Sequence, residues 1–229
     1  MDHGAQFRRL ASVFCLVVAP AVILGAFIIA PFGNDETGKE IVSAVSGNQW
    51  AYTVVPVALT VGILLLIPAV VTAIGLAAPR TPYLAYIGGG MAVAGYASLL
   101  STFTGPQVAM ALSAAGVSPD QAAAVIDKLA SGSVVFNLLT FVFVAGHILG
   151  TTILGVALIR ARVVAIWAGA TIVVSPPIHL VAHVIESKPA DLVSFGLLAI
   201  GLWAVAVRVW RTEPTAARQL ATAPAPRPA

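Results

Sequence analysis

His179 and His183 stand one helical repeat apart in an apolar stretch, and Glu186 follows closely. At about 100° per residue, His183 lies about 40° and Glu186 about 20° to either side of His179, so a continuous helix would place all three on one face. Two imidazoles at this spacing can chelate one metal ion, and a carboxylate a turn further on can add a third ligand. His147, in an earlier apolar run, is a candidate fourth partner. The alternative chemistry is plain hydrogen bonding between helices. His147 sits in Gly146-His147-Ile148-Leu149-Gly150, a small-xxx-small pattern that lets backbones approach, and His183 with Glu186 can form a wet helix end.

A second signal precedes His179. Ser175-Pro176-Pro177 removes two backbone donors in succession. The spacing allows a break, with Ser175 capping a new half-helix that opens at Pro176 and aims its amides at a small ligand. An ordinary kink satisfied by neighbouring helices is the simpler outcome. Ser175, His179, His147 and Asn137 are therefore the candidate ligand-binding residues, and His147, His179, His183 and Glu186 the candidate metal set.

The elements that must position these groups follow from composition. Of 229 residues, 59% are hydrophobic and 9% charged, against about 25% charged in soluble domains. Lipid is the expected solvent. Six apolar runs, at about 10–31, 51–78, 83–104, 132–159, 163–185 and 192–210, approach or exceed the roughly 20 residues that cross a bilayer as a helix. None shows the alternation of a barrel strand. The predicted fold is an all-α bundle of six transmembrane helices over residues 1–211. The first run is longer than a signal-peptide core, so a retained helix is expected.

Charge sets the expected orientation. In a six-span chain, Arg8, Arg9, Arg80, Arg160, Arg162, Arg208, Arg211, Arg218 and Arg227 fall on one side, and Lys39, Lys128 and Lys188 on the other. The arginine side is then cytoplasmic, with both termini inside. Asp35, Glu36, Glu40, Asp120, Asp127, Glu186 and Asp191 fall outside, which leaves no acid within a span. On this placement His147 lies near mid-bilayer and His179 just under the outer surface, about 7 Å apart in depth at 1.5 Å per residue. The net charge of +3 is accounted for by this segregation, and no nucleic-acid partner is expected.

The inner loops are short, and the outer ones carry structure of their own. Ile41, Val42 and Val45 recur at helical spacing. Ser118-Pro119-Asp120-Gln121 reads as a capping box with proline at the first helical position, opening a short amphipathic outer helix over 119–130. Gly88, Gly89, Gly90, Ala92 and Gly95 form a smooth surface for close helix packing, without the strand–turn–helix setting of a phosphate loop. Tyr96 and Trp203 lie deep enough to pack on other helices. A faint echo at an offset of 80 (Gly75, Arg80 and Gly89 against Gly155, Arg160 and Gly169) suggests a repeated hairpin. Residues 212–229, rich in Pro and Ala, read as a disordered cytoplasmic tail. Cys15 has no partner for a disulfide.

The His179/His183 pair resembles that on a late span of the intramembrane zinc hydrolases of the ceramidase and adiponectin-receptor type. That resemblance implies zinc-bound water as nucleophile. Those proteins have seven spans, a histidine on an earlier span and a buried acid; here His147 fills the second role, and the span count and the acid depart. Six spans with internal histidines are also similar to haem-bearing membrane cytochromes, which draw ligands from four helices rather than two. The Arg-over-Lys, Ala-rich usage resembles that of multi-pass proteins of high-GC bacteria and implies the inner membrane. With no complete catalytic set in the sequence, the expectation is a non-enzymatic protein that moves or senses a small molecule, or serves as a subunit beside a membrane-protein partner or a second copy. A metal- or haem-binding protein is the alternative.

Overall fold

The computed structural model describes residues 3–30, 37–101 and 105–211. The tail expectation at 212–229, Asp35 and Glu36 in the first outer loop, and the end of the third run at 102–104 lie outside the described residues. Among the described residues every regular element is helical.

Five helical stretches are long and apolar enough to cross a membrane: α1 (His3–Ile29), α3 (Gln49–Ala77), a composite over Val134–Arg160, α9 (Ile166–Val184) and α10 (Lys188–Arg211). The composite consists of α7 (Val134–Ala145), a π-helical turn (Gly146–Gly150) and α8 (Thr151–Arg160). The third expected span is α4 (Pro82–Leu99), which is shorter and diluted by glycine and tyrosine. It is nevertheless built into the bundle, against α3 on one side and the α7–α8 composite on the other. Neighbours in sequence are neighbours in space, and α10 closes the ring against α1. The centre is filled by Leu16, Ile23, Leu59, Ile63, Leu66, Leu154, Leu158, Ile172, Leu198 and Val205. The outward faces are apolar too: Val57, Val61 and Leu64 on α3, Leu138 and Phe141 on α7, and Val181 and Val184 on α9 are all exposed. An apolar exterior of this extent suits hydrocarbon and not water.

One end of the bundle gathers the turns that carry arginine. Arg80 donates to the carbonyl of Ala161 at 2.7 Å, and Thr81 to that of Ala157 at 3.3 Å, so the α3–α4 and α8–α9 turns lie side by side. The Arg9 guanidinium covers the Trp210 ring at 4.9 Å, bringing the start of α1 to the end of α10. At the other end, Lys188 Nζ donates to the carbonyl of Ala30.

That other end is covered by a small helical layer: α2 (Gly38–Gly47), α5 (Gly105–Ala114) and α6 (Pro119–Gly132). Thr37 and Glu40 form a full capping box at the start of α2. Ser118 caps α6 by accepting from the Gln121 amide at 3.4 Å, which is the N-cap half of the expected capping box. Ile126 of α6 meets Val45, Tyr52 and Ala109, while Asp127 accepts from the Gly38 amide at 2.7 Å. The amphipathic helices thus bury their apolar faces on one another.

Close approach between α4 and the π-turn depends on the absence of side chains. A Cβ on Gly146 would stand 2.3 Å from the Met91 carbonyl oxygen, one on Gly150 2.4 Å from Ala92 N, and one on Gly95 2.6 Å from His147 N. Of the smooth surface read from the sequence, Ala92 and Gly95 form this contact, while Gly88 faces Ile153, Gly89 faces Ile74 and Gly90 has open space. The offset-80 echo places Gly89 against Ile74 and Gly169 against Ile159, which are not equivalent positions at that offset.

Candidate functional site

The π-turn carries His147. A π-turn inserts an extra residue into a helix and re-aims the side chains around it, and such turns recur at functional sites. His147 is 4% exposed. Its Nδ1 lies 3.2 Å from the Tyr96 hydroxyl, which lies 3.1 Å from Thr151 Oγ1. The ring stacks on Phe143 and meets Tyr96 edge-on. Its Nε2 is buried and has no partner.

His179 comes to the same place from α9. The two imidazole centroids are 5.3 Å apart and their planes 85° apart. The rings meet although the sequence placed them at different depths, and α9 packs against the π-turn. Behind His179 stands Asp191, whose Oδ1 is 2.7 Å from His179 Nδ1. Asp191 is the group sequence reasoning missed. It was expected outside, because hydropathy began the last span at 192. Helix α10 begins at Lys188 instead, so Asp191 lies in its first turn and is 1% exposed. A carboxylate there is stabilised by the positive end of the helix and by its bond to the imidazole. The sequence signal that could have found it is an acid placed to open a helix beside a histidine-bearing span.

The carboxylate can only accept, so Nδ1 of His179 carries the shared hydrogen, and the Nε2 lone pair is left for other work in the neutral ring. Phe195 packs against His179 at 5.1 Å and stacks on Phe27 at 4.1 Å. Tyr96, His147 and His179 line a cavity of about 50 Å³ otherwise walled by residues such as Ile23, Leu59, Leu66, Phe143 and Leu198. This volume takes a water or an ion. It is far below the roughly 300 Å³ at which pockets for drug-sized ligands begin, and haem, which is of that size class, does not fit.

The other candidates are placed as follows. His183 lies 6.4 Å from His179, one turn toward the end of α9, and is partly exposed. Glu186 does not share their face. The helix ends at Val184, and Glu186 takes a left-handed backbone (φ +52°) with an exposed side chain, so the angular argument fails where the helix does. Asn137 is exposed on α7, away from the cavity. Ser175 does not cap a half-helix, because α9 runs unbroken through Pro176 and Pro177. Pro177 leaves the Val173 carbonyl without its helical donor, and the Thr152 hydroxyl donates to it at 3.3 Å. Ser175 is buried and tied to α10: Ser194 Oγ donates to its carbonyl at 2.8 Å and lies 3.3 Å from its Oγ. Among the described residues, no three His, Cys, Asp or Glu side chains converge as a complete metal site.

Compared with known protein families, with curated proteins and with solved structures, the chain matches none.

Proposed function

We propose that the chain is a non-enzymatic, six-span protein of the cytoplasmic membrane that moves or senses a small solute through its bundle. The arginine-bearing end faces the cytoplasm, and the layer of α2, α5 and α6 faces outward. The observation that carries the functional reading is Asp191, a buried carboxylate held against His179 beside a second, incompletely bonded histidine. Ionisable groups within an apolar bundle are costly, and they persist where a solute or ion is handled. The cavity lined by the two histidines limits the guest, in this conformation, to an ion or a water-sized molecule.

Two measurements test this reading. Cys15 is buried, so single cysteines placed at positions 80, 160 and 128 can be labelled with an impermeant maleimide over a low background. Positions 80 and 160 should react only after the membrane is opened, and position 128 before. Labelling of 80 and 160 from opposite sides would overturn the topology. Uptake and efflux of a panel of small cations, anions and polar solutes are then compared in cells with and without the protein. Identical fluxes, together with no ligand-dependent change in the stability of the purified protein, would leave only the role of a subunit in a membrane complex or homo-oligomer.

A further inference from the structure

We infer that the solute handled at this site is a late first-row transition-metal cation of the copper–zinc group, held between the Nε2 atoms of His147 and His179. The inference rests on the solute-handling reading above and names its cargo.

Three observations point there. First, each imidazole is anchored through Nδ1, His147 by Tyr96 and His179 by Asp191. Anchoring one ring nitrogen orients the other toward a metal, and a carboxylate in that outer position raises the basicity of the ligand. Second, His147 Nε2 is buried without a partner although its ring lines a cavity. A buried polar atom left in this way marks a missing water or ion. Third, the spacing fits. Imidazole nitrogens ligate zinc-type ions at about 2.0–2.1 Å, so two such rings at a tetrahedral angle place their centroids about 5 Å apart. The observed separation is 5.3 Å.

The chemistry of the donors narrows the ion. Two neutral imidazoles suit copper and zinc, whereas magnesium and calcium require a shell of oxygens. No third protein ligand joins the pair among the described residues, so the rest of the coordination is water, for which the cavity has room. His183 is a turn further out, partly exposed and outside the cavity lining.

The test uses the full chain in detergent, stripped with chelator and re-titrated with Zn²⁺, and separately with Cu⁺ under anaerobic reducing conditions. Bound metal is counted by elemental analysis after gel filtration. One equivalent is expected. His179→Ala and His147→Phe, the latter keeping a ring in the stacked position, should each lose it. Asp191→Asn should weaken binding by about 10–100-fold. His183→Ala should retain the equivalent. Melting temperatures of the metal-free variants show which remain folded, and His147→Gln serves if the phenylalanine variant does not. No metal on the wild-type chain would overturn the inference, as would full retention in a folded His147 variant. Loss in His183→Ala alone would also overturn it by moving the site to the surface. A chain that moves other solutes but takes no metal sinks this inference and leaves the solute-handling reading. One that binds metal here without flux or sensing does the reverse.

Discussion

The contact between α4 and the π-turn yields a prediction whose size follows from the geometry of the seam. In Gly146→Ala the new methyl group would stand 2.3 Å from the Met91 carbonyl oxygen, where ordinary contact begins at 3.4 Å. Both partners are backbone, so no side chain can swing away, and the two helices must separate by about 1 Å to restore normal contact. The bond between Tyr96 and His147, 3.2 Å long, spans this same seam and would not survive that shift. Overpacking costs about 1–3 kcal/mol, and a broken buried hydrogen bond about 1–3 kcal/mol more. The helix-propensity gain of alanine over glycine returns about 1 kcal/mol. A net loss of about 1–5 kcal/mol is expected for Gly146→Ala. Gly90 lies on the same helix as Gly95, but a Cβ there meets nothing within 4 Å, so Gly90→Ala should be neutral or slightly stabilising. The assay is reversible unfolding in mixed micelles of a mild detergent and dodecyl sulfate, followed by circular dichroism. Equal stabilities for the two variants would refute the claim that this seam is held at backbone contact.

Three further outcomes follow from local geometry. Thr152→Val should destabilise by about 1–2 kcal/mol by stripping the donor from the Val173 carbonyl. In a Pro177→Ala background, which restores the helical amide, that cost should vanish; an unchanged cost in the double-mutant cycle would show that the hydroxyl serves another purpose. Glu186→Gly should stabilise by about 1 kcal/mol, because glycine carries no penalty at the left-handed position ending α9, and a lower melting temperature would contradict this. Bonds from the Thr37 amide and then the Thr37 hydroxyl hold the Glu40 carboxyl below its ordinary value. A depressed acid stabilises the fold above its unfolded-state titration and loses that contribution as pH falls through the folded value, so α2 should fray in acid. Hydrogen exchange of the α2 amides should show this in the wild-type chain, and Glu40→Gln should flatten the response.

Much of the architecture was legible because lipid imposes one dominant rule. Apolar runs about as long as the bilayer is thick must be helices, and the arginines had to collect at one end. The start of α6 was equally local, since Ser118, Pro119 and Gln121 are neighbours whose bonding needs no tertiary partner. The glycines of α4 and the Gly146–Gly150 pair announced a close seam, although which helices formed it was set by packing.

The site was legible only in fragments. His147 and His179 could be named from their unlikely presence in apolar runs. Their meeting depended on the π-turn and on the way α9 leans against it, neither of which leaves a mark in hydropathy. Glu186 was misplaced because helical-wheel angles hold only while the helix continues, and its end is decided by the turn into α10. The simpler outcome at Pro176 and Pro177, a continuous helix satisfied by a neighbour, is the one observed, but which neighbour serves, Thr152 on α8, could not be read from α9 alone. Asp191 shows the difference most clearly. In sequence it is one more acid at the edge of a span, and a window average assigns it to water. Only the folded bundle, by starting α10 early and setting His179 against it, turns that carboxylate inward. Composition determines the solvent a chain must live in, but the environment of a single charge is set by groups far away in sequence, and that only the tertiary structure decides.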